Sequence, residues 1–243
     1  MLEAKKNALF EAVFGAYTVR LLRRSFHRIH LAGRAGLEQR DRSLPLLFFG
    51  NHSSWWDALL PLFLSRRLFH LDSYAMMEER QLAAFPFFRR IGVFSVNRES
   101  PKDVARSVRY AQRVLRGPGR ALWMYPQGKL LPAGTRPLTF QRGIGHIIGE
   151  TDRLLLVPFA VRYEFREERY PEIFISIGAP VPASGGSDGT DFMTDLEQRV
   201  TMLLEGMDTA LARNDLSSFD TVLTGRSSPG RRHRAQPEMG SSS

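Results

Sequence analysis

A histidine and an aspartate five positions apart are the residues of this chain best suited to acid–base chemistry. His52 and Asp57 lie in the segment NHSSWWD, which joins the short apolar run LLFFG to the helical pattern ALLPLFL. On one continuous helix, residues five apart point about 140° away from each other. The two side chains can therefore meet only if His52 lies in a turn and Asp57 lies in the first turn of the next helix.

The residues around this pair allow that geometry. Asn51 and Ser53 favour a turn, and Ser54 is a suitable N-cap before an apolar run. A histidine at a helix entrance, with one ring nitrogen held by a carboxylate, is a general base of fixed tautomer and orientation. A second interpretation stays open, because Ser54 and Asp57 also have the spacing of a capping box, in which Asp57 only satisfies backbone donors.

Composition limits the function classes. The 243 residues, 43% of them hydrophobic, suffice for one domain with a full core. Cysteine is absent, which excludes disulfides, thiolate nucleophiles and cysteine-ligated metals. A net charge of +9 indicates an anionic partner. Because no zinc-finger or RNA-recognition spacing is present, we expect an anionic membrane surface and no nucleic acid.

No segment is apolar enough to cross that membrane. A spanning helix needs about 20 mostly apolar residues. The longest candidates are interrupted by acidic residues, the run 9–19 by Glu11 and the run 55–64 by Asp57. We therefore expect a peripheral or monotopic membrane protein.

Residues 7–32 predict one amphipathic helix. Between Lys5 and Arg34 there are seven Lys or Arg against one acidic residue, Glu11. The helix could lie in a membrane interface above anionic headgroups, or pack on the domain core with a solvated basic face. The apolar residues that recur at steps of three and four are Leu9, Phe10, Val13, Phe14, Tyr17, Leu21, Leu22 and Phe26.

The rest of the chain alternates short apolar runs with helical patterns, which predicts an α/β domain around a central sheet. We expect an amphipathic basic helix at the membrane interface over residues 1–34, a catalytic domain at 35–224 and a disordered tail at 225–243. The predicted strands are Leu46–Phe49, Ser73–Met77, Val93–Val96, Ala121–Tyr125, Leu154–Val161 and Ile173–Ile177. The predicted helices are 55–67, 101–116, 140–150 and 190–212.

Three further segments contain groups that a transfer to a lipid hydroxyl would need. GVFSVNR places Arg98 just beyond a strand, where its guanidinium could grip a phosphate. WMYPQGK ends a strand in a turn with an amide, an ammonium and backbone N–H groups, formed by Pro126, Gln127, Gly128 and Lys129.

The third segment, LLVPFAV, has Pro158 inside a strand-like run, which indicates an edge strand or a bulge. In this order and spacing, NHSSWWD and the three segments resemble the four motif blocks of the glycerolipid acyltransferase family, which includes the lysophosphatidate acyltransferases. The resemblance covers about residues 45 to 180 and is strongest at NHSSWWD.

The resemblance implies roles for the site residues. His52 would deprotonate the acceptor hydroxyl and Asp57 would orient His52. The hydroxyl would then attack the thioester of acyl-CoA or an acyl carrier protein directly, and the absence of cysteine and of a G-x-S-x-G motif fits a mechanism without an acyl-enzyme. Candidate donors to the oxyanion are the Gly128 backbone and Lys129. No metal and no cofactor are implied.

The resemblance also implies a mixed central sheet flanked by helices, preceded by a helix that seats the enzyme on the cytoplasmic face of a membrane.

The third motif block departs from the family pattern. The family has a Glu followed by a small hydroxyl residue and an Arg where this chain has QGKLL. Acceptor recognition at Gln127 is therefore open, and Arg136 or Arg142 could supply the missing guanidinium.

These patterns together predict an O-acyltransferase that esterifies a lysophospholipid-type acceptor in phospholipid synthesis or remodelling. Within the same class, the Gln127 change keeps a glycolipid or another hydroxylated lipid open as acceptor. The alternative of another class is a non-catalytic lipid-binding protein.

Overall fold

The computed structural model describes residues 1–149, 151, 153–183 and 190–228. The strands are β1 (Arg28–Ala32), β2 (Leu46–Gly50), β3 (Asp72–Glu78), β4 (Val93–Val96), β5 (Arg120–Met124), β6 (Leu155–Glu164), β7 (Glu172–Ile177), β8 (Val181–Pro182) and β9 (Asp220–Thr224). The α-helices are α1 (Ala8–Ser25), α2 (Arg34–Glu38), α3 (Leu60–Leu64), α4 (Glu79–Ala84), α5 (Pro101–Leu115), α6 (Gly143–Gly149) and α7 (Thr190–Ala212). Short 3-10 helices cover Trp55–Ala58 and Pro86–Ile91, and a π-helical turn covers Ser65–Phe69.

The strands form one mixed sheet in the order β4-β3-β5-β2-β6-β7-β1-β9, with β8 paired to the start of β6. Neighbours from β4 to β6 are parallel, whereas β7 is antiparallel to β6 and β9 is antiparallel to β1. All five residues of β2 are buried at the centre of this sheet. Burial of both faces explains the unbroken apolar sequence LLFFG, and the mixed α/β sheet agrees with the prediction.

Alternate residues of β2 supply a hydrophobic core on each face of the sheet. Phe48 stacks on Trp123 of β5, with 3.8 Å between ring centroids, and belongs to the core that contains Leu22 of α1 and Phe63 of α3. Leu47 belongs to the opposite core, which α5, α6 and α7 cover. The helices α1 and α5 therefore lie on opposite faces of the sheet.

The helix predicted over residues 7–32 ends at Ser25, so that prediction is wrong at its C-terminal end. Residues 28–32 instead form β1, parallel to β7, and the sheet begins before residue 35, where we expected the catalytic domain to start. Ile29, His30 and Leu31 are all buried. A short run buried on both sides has no strand-like alternation, so apolar periodicity alone could not separate it from the preceding helix.

The predicted apolar stripe of α1 is divided between the core and the surface. Leu22 is fully buried, and Phe14 packs against the rings of Phe87 and Phe88. Three residues at steps of four remain exposed, namely Leu9 (77%), Val13 (62%) and Tyr17 (55%). One side of the helix therefore packs on the domain, as the second alternative expected, and the membrane interface stays a prediction for the side that faces outward. Among the described residues, no helix is both long and apolar enough to cross a bilayer.

Pro158 lies in an interior strand, which corrects the expectation of an edge or a bulge. Strand β6 pairs with β8 through Leu155 and Leu156 and with β7 from Phe159 onward. Proline has no backbone N–H to donate. Pro158 lies between the segment of β6 that pairs with β8 and the segment that pairs with β7, so the sheet loses no hydrogen bond at this position.

The tail predicted as disordered from Gly225 begins as an ordered segment. The N–H groups of Gly225 and Arg226 donate to the carbonyls of His27 and Phe26 at 2.8 and 3.0 Å. Residues 229–243 lie outside the described residues. Strands β1, β8 and β9 were not predicted, since each is short and takes its partners from distant parts of the chain.

Candidate active site

The site lies at the edge of the sheet where parallel strands end. His52 follows β2, Arg98 follows β4, and the turn that starts at Tyr125 follows β5. Because these strands are parallel, their carboxyl ends open at one edge, as in other α/β sheets that bind ligands there. Three segments that are far apart in sequence are therefore brought together by the sheet order.

His52 and Asp57 meet at this edge. His52 Nδ1 lies 2.8 Å from Asp57 Oδ2; the aspartate side chain is fully buried and the histidine side chain is 23% exposed. A carboxylate only accepts hydrogen bonds, so the pairing assigns the proton to Nδ1 and leaves the Nε2 lone pair available. Within the described part of the chain, Nε2 has no hydrogen-bond partner. This arrangement can accept a proton from a bound hydroxyl.

The same aspartate also caps the 3-10 helix at Trp55–Ala58. Its Oδ2 accepts from the backbone N–H groups of Ser53 and Ser54 at 2.8 and 2.9 Å, and Ser54 is the N-cap of a capping box. The sequence analysis treated the dyad and the capping box as alternatives, whereas the carboxylate of Asp57 takes part in both. The turn at 51–54 followed by a helix start at Trp55 agrees with the predicted geometry.

Two tyrosines that the sequence analysis missed surround Asp57. The Tyr163 hydroxyl donates to Asp57 Oδ1, and the Tyr125 hydroxyl donates to the Asp57 backbone carbonyl at 2.6 Å. The Tyr125 ring stacks on His52, with 4.5 Å between ring centroids. Burial, and then the charge of Asp57, raise the pKa of both tyrosines well above the usual range, so both hydroxyls remain donors. Single tyrosines carry no spacing signal that could have identified them.

Two amides hold the backbone around His52. The Asn51 side chain donates to the Val161 carbonyl at 3.0 Å and accepts from the Val161 N–H at 2.8 Å, which ties the end of β2 to β6. The buried Gln127 side chain accepts from the His52 N–H through Oε1 at 2.7 Å. The Leu131 N–H donates to the His52 carbonyl at 2.9 Å. Gln127 thus contacts the dyad directly, in addition to its predicted place in the acceptor site.

Arg98 lies against the turn at Gly128. Gly128 has a φ of +71°, which favours glycine at this turn, and a Cβ there would lie 2.8 Å from Arg98 Nη1, so the guanidinium lies directly over the glycine. The guanidinium is part exposed and 3.7 Å from the carboxylate of Glu78. Arg98, the residue predicted to bind a phosphate, therefore lies next to the YPQG turn.

The other predicted residues are distributed around this turn. The Gly128 N–H donates to the Tyr125 carbonyl at 3.0 Å. This N–H is therefore not free to bind the oxyanion, and the prediction of Gly128 as an oxyanion donor is corrected. Lys129 is exposed, and the carbonyl of the buried Pro126 accepts from the Gln141 N–H at 2.8 Å. Pro158 is buried in β6 beside Gly178, where a Cβ would lie 2.7 Å from its ring.

Arg136 is held by the loop itself and by α7. Its Nη1 donates to the carbonyls of Ala133 and Thr135 at 3.2 and 2.8 Å, and its Nη2 lies 3.7 Å from the carboxylate of Asp208. Arg142 is exposed at the start of α6. In the described part of the chain, no cluster of three or more His, Asp or Glu side chains has the arrangement of a metal site.

Comparison with known families assigns the class of this protein. The acyltransferase family model matches residues 34–162, which is more than half of the chain. The chain belongs to the acyltransferase family and is an acyltransferase. The matched region contains His52, Asp57 and Arg98, and it ends one residue before Tyr163. No curated protein sequence matches the chain.

A solved structure shares the fold. The chain is similar to the crystal structure of the 1-acyl-sn-glycerophosphate (LPA) acyltransferase PlsC from Thermotoga maritima, with a TM-score of 0.56. The sequence identity is 20%, and the match covers 82% of this chain and 78% of that chain. The two proteins therefore have the same α/β architecture, despite the low sequence identity.

Proposed function

We propose that this acyltransferase moves a fatty acyl group from an acyl thioester to the hydroxyl of a lysophospholipid-type acceptor. The observation that carries the proposal is the part-exposed His52, whose Nδ1 is held by a buried carboxylate and whose Nε2 has no hydrogen-bond partner among the described residues. The acyltransferase that shares the fold is named for 1-acyl-sn-glycerophosphate. That name supports a lysophospholipid as the leading acceptor.

The chemistry follows from the open nitrogen. The proton of the acceptor hydroxyl moves to His52 Nε2 while the hydroxyl oxygen bonds to the thioester carbonyl carbon. Collapse of the tetrahedral intermediate breaks the carbon–sulfur bond, and Nε2 returns the proton to the departing thiolate. Asp57 stabilises the imidazolium between these two transfers. Acyl-CoA and acyl carrier protein both supply the required thioester, and the steps need no metal or cofactor.

Arg98 and Gln127 support two acceptor types. Arg98 is a part-exposed guanidinium beside the YPQG turn, which suits the phosphate of a lysophospholipid. Gln127 uses Oε1 on the His52 N–H, so the remaining end of its amide is a donor, where the glutamate of the family motif would have a second carboxylate oxygen. This difference favours a neutral or hydroxylated headgroup as the second candidate acceptor.

The outward side of α1 supports a seat on an anionic membrane surface. Exposed Leu9, Val13 and Tyr17 continue into exposed Arg20 and Arg24 at helical steps. An apolar patch followed by cations on one side of a helix suits the boundary between acyl chains and anionic headgroups. We therefore propose a peripheral or monotopic enzyme on the cytoplasmic face.

An acyl-transfer assay tests the proposed reaction. Purified protein is given a long-chain acyl-CoA or an acylated carrier protein together with lysophosphatidate, lysophosphatidylcholine or a hydroxylated glycolipid. We expect ester formation in the wild type and almost none in His52→Ala. Equal turnover by the two proteins, or no ester from any donor and acceptor pair, would contradict the proposal.

A vesicle-binding assay tests the membrane seat. Arg20→Glu with Arg24→Glu should weaken binding to anionic vesicles in a salt-dependent way, since each cation near such a surface contributes about 1 kcal/mol. Arg109→Glu with Arg116→Glu is the matched control, because those exposed residues belong to the α5 side of the sheet. Equal losses from both double variants would indicate a general charge effect in place of a seat at α1.

A further inference from the structure

The carboxylate of Asp57 depends on a small set of donors because its side chain is fully buried. Oδ2 accepts from His52 Nδ1 and from the N–H groups of Ser53 and Ser54. On Oδ1, the one donor found among the described residues is the Tyr163 hydroxyl. A buried carboxylate oxygen without a donor costs considerable free energy, so the loss of this hydroxyl would force Asp57 to rearrange.

We propose that Tyr163 is a positioning residue of the dyad: its hydroxyl holds Oδ1 of Asp57, so that Oδ2 stays directed at His52 and the imidazole proton stays on Nδ1. Tyr163 does not touch the reacting atoms and acts through Asp57. The role in turnover rests on the proposed function, whereas the effect on the imidazole proton does not.

The strand that carries Tyr163 is tied to the same loop. Asn51, directly before His52, forms both of its side-chain hydrogen bonds with Val161 of β6. Val161 holds Asn51 through its backbone, and Tyr163, two residues further along the same strand, holds Asp57 through its side chain. The Tyr163 ring packs near Phe26, with 6.0 Å between ring centroids. One segment of β6 thus fixes both ends of the turn that contains His52.

Burial and the charge of Asp57 also keep this hydroxyl protonated, since both raise the pKa of Tyr163 far above its usual value. The tyrosine therefore remains a donor at neutral pH. Tyr125 provides an internal comparison, because its hydroxyl is as close to Asp57 but bonds the backbone carbonyl.

Two measurements on Tyr163→Phe test the inference. In steady-state kinetics, we expect kcat to fall about tenfold to a hundredfold, the range for a lost hydrogen bond to a charged group, while KM for both substrates stays the same. In spectra of ¹⁵N-histidine-labelled protein, with His52 assigned from His52→Ala, we expect the Nδ1–H tautomer to decrease. Tyr125→Phe should leave that tautomer in place, and Tyr110→Phe controls for the loss of a part-buried phenol outside the site.

A double-variant cycle separates action through Asp57 from a general structural role. In the Asp57→Asn background, Tyr163→Phe should change kcat by less than about twofold, because the carboxylate that it serves is gone. A full additional loss in that background, or a wild-type kcat and tautomer in Tyr163→Phe, would overturn the inference.

If Tyr163→Phe does not fold, a fluorinated tyrosine at position 163 replaces it. That side chain keeps the ring and the hydroxyl, so it should retain the Nδ1–H tautomer, and loss of the tautomer there would contradict the inference. If no protein transfers an acyl group but the tautomer still responds, the proposed function fails and the positioning role stands.

Discussion

Two histidine–carboxylate pairs are found among the described residues, and they differ in whether the second ring nitrogen of the histidine also has a partner. His30 Nε2 lies 2.6 Å from Glu172 Oε2, which is closer than the 2.8 Å between His52 Nδ1 and Asp57 Oδ2. Both members of the first pair are almost inaccessible, with 3% of His30 and 5% of Glu172 exposed. The nitrogen–oxygen distance therefore does not by itself distinguish the two pairs.

The second ring nitrogen makes the difference. His30 Nδ1 lies 3.3 Å from the Thr221 hydroxyl, and its ring stacks on Phe174 inside the sheet. His52 stacks on Tyr125 in a similar way, but its side chain is 23% exposed and its Nε2 has no hydrogen-bond partner among the described residues. A base needs one nitrogen held and the other accessible to substrate, and only His52 meets both conditions. His30 joins β1, β7 and β9 instead.

The largest expected effect is at His52. His52→Ala should lower kcat by about 10²- to 10⁴-fold, which is the usual contribution of a positioned base, with little change in thermal unfolding. Asp57→Asn should also cripple turnover, and it should lower the melting temperature because Asp57 caps a helix. If Asp57→Asn loses stability but keeps full turnover, the carboxylate is only a cap.

The opposite pattern is expected at His30. His30→Leu leaves Glu172 buried without its closest partner, which should lower the free energy of unfolding by about 2 to 4 kcal/mol. The activity of the remaining folded protein should be unchanged. Denaturant unfolding and the turnover number per folded molecule check this, and a selective loss of turnover would contradict the structural assignment.

Acid should weaken the His30 pair in a defined direction. Burial by itself would raise the pKa of Glu172, but the hydrogen bond from His30 and the nearby positive charges outweigh it and hold the pKa below its ordinary value. A carboxyl group with a lowered pKa in the folded state stabilises the fold above the unfolded pKa of about 4.5. That contribution disappears as the pH falls through the folded-state pKa. Unfolding free energies measured as the pH falls from about 5 to about 3 should therefore decrease more in wild type than in His30→Leu.

The smallest expected effect is at Gln127, whose side chain contacts His52 without pairing with its ring. Gln127→Glu keeps an acceptor for the His52 N–H and replaces the amide donor by a second acceptor, at nearly constant volume. The preference between phosphate-bearing and uncharged acceptors should shift by about 1 to 3 kcal/mol. Competition assays with lysophosphatidate and a hydroxylated glycolipid measure it. Arg98→Ala is the reference, since its loss should raise KM mainly for acceptors with a phosphate.

An unchanged ranking of acceptors in Gln127→Glu, together with equal losses for all acceptors in Arg98→Ala, would contradict the acceptor model. The dyad would not be affected by that result. The comparison between the His52 and His30 pairs does not depend on Gln127 or Arg98 and would remain.

Local sequence determined the parts of this protein whose partners are close along the chain. The turn at Asn51 and Ser53 and the helix start at Trp55 follow from residue types within seven positions, so the His52–Asp57 contact could be predicted. Six strands were also predicted near their observed bounds, because each is a short apolar run between turn residues. Gly128 likewise marked a turn through its backbone freedom.

Only the tertiary structure decided the contacts that connect distant segments. Strand β1 was hidden in the helical pattern, since burial on both faces removes the alternation that identifies a strand. Tyr163 lies 106 positions from Asp57 and meets it only because β6 pairs with β2. His30 has the residue type of a base, and its structural role follows from Glu172 and Thr221, which the sheet brings to it from the other end of the chain. Spacing in the sequence can identify residue pairs that a single turn brings together, such as His52 and Asp57. The exposure of a side chain and its distant hydrogen-bond partners depend on which strands become neighbours in the sheet.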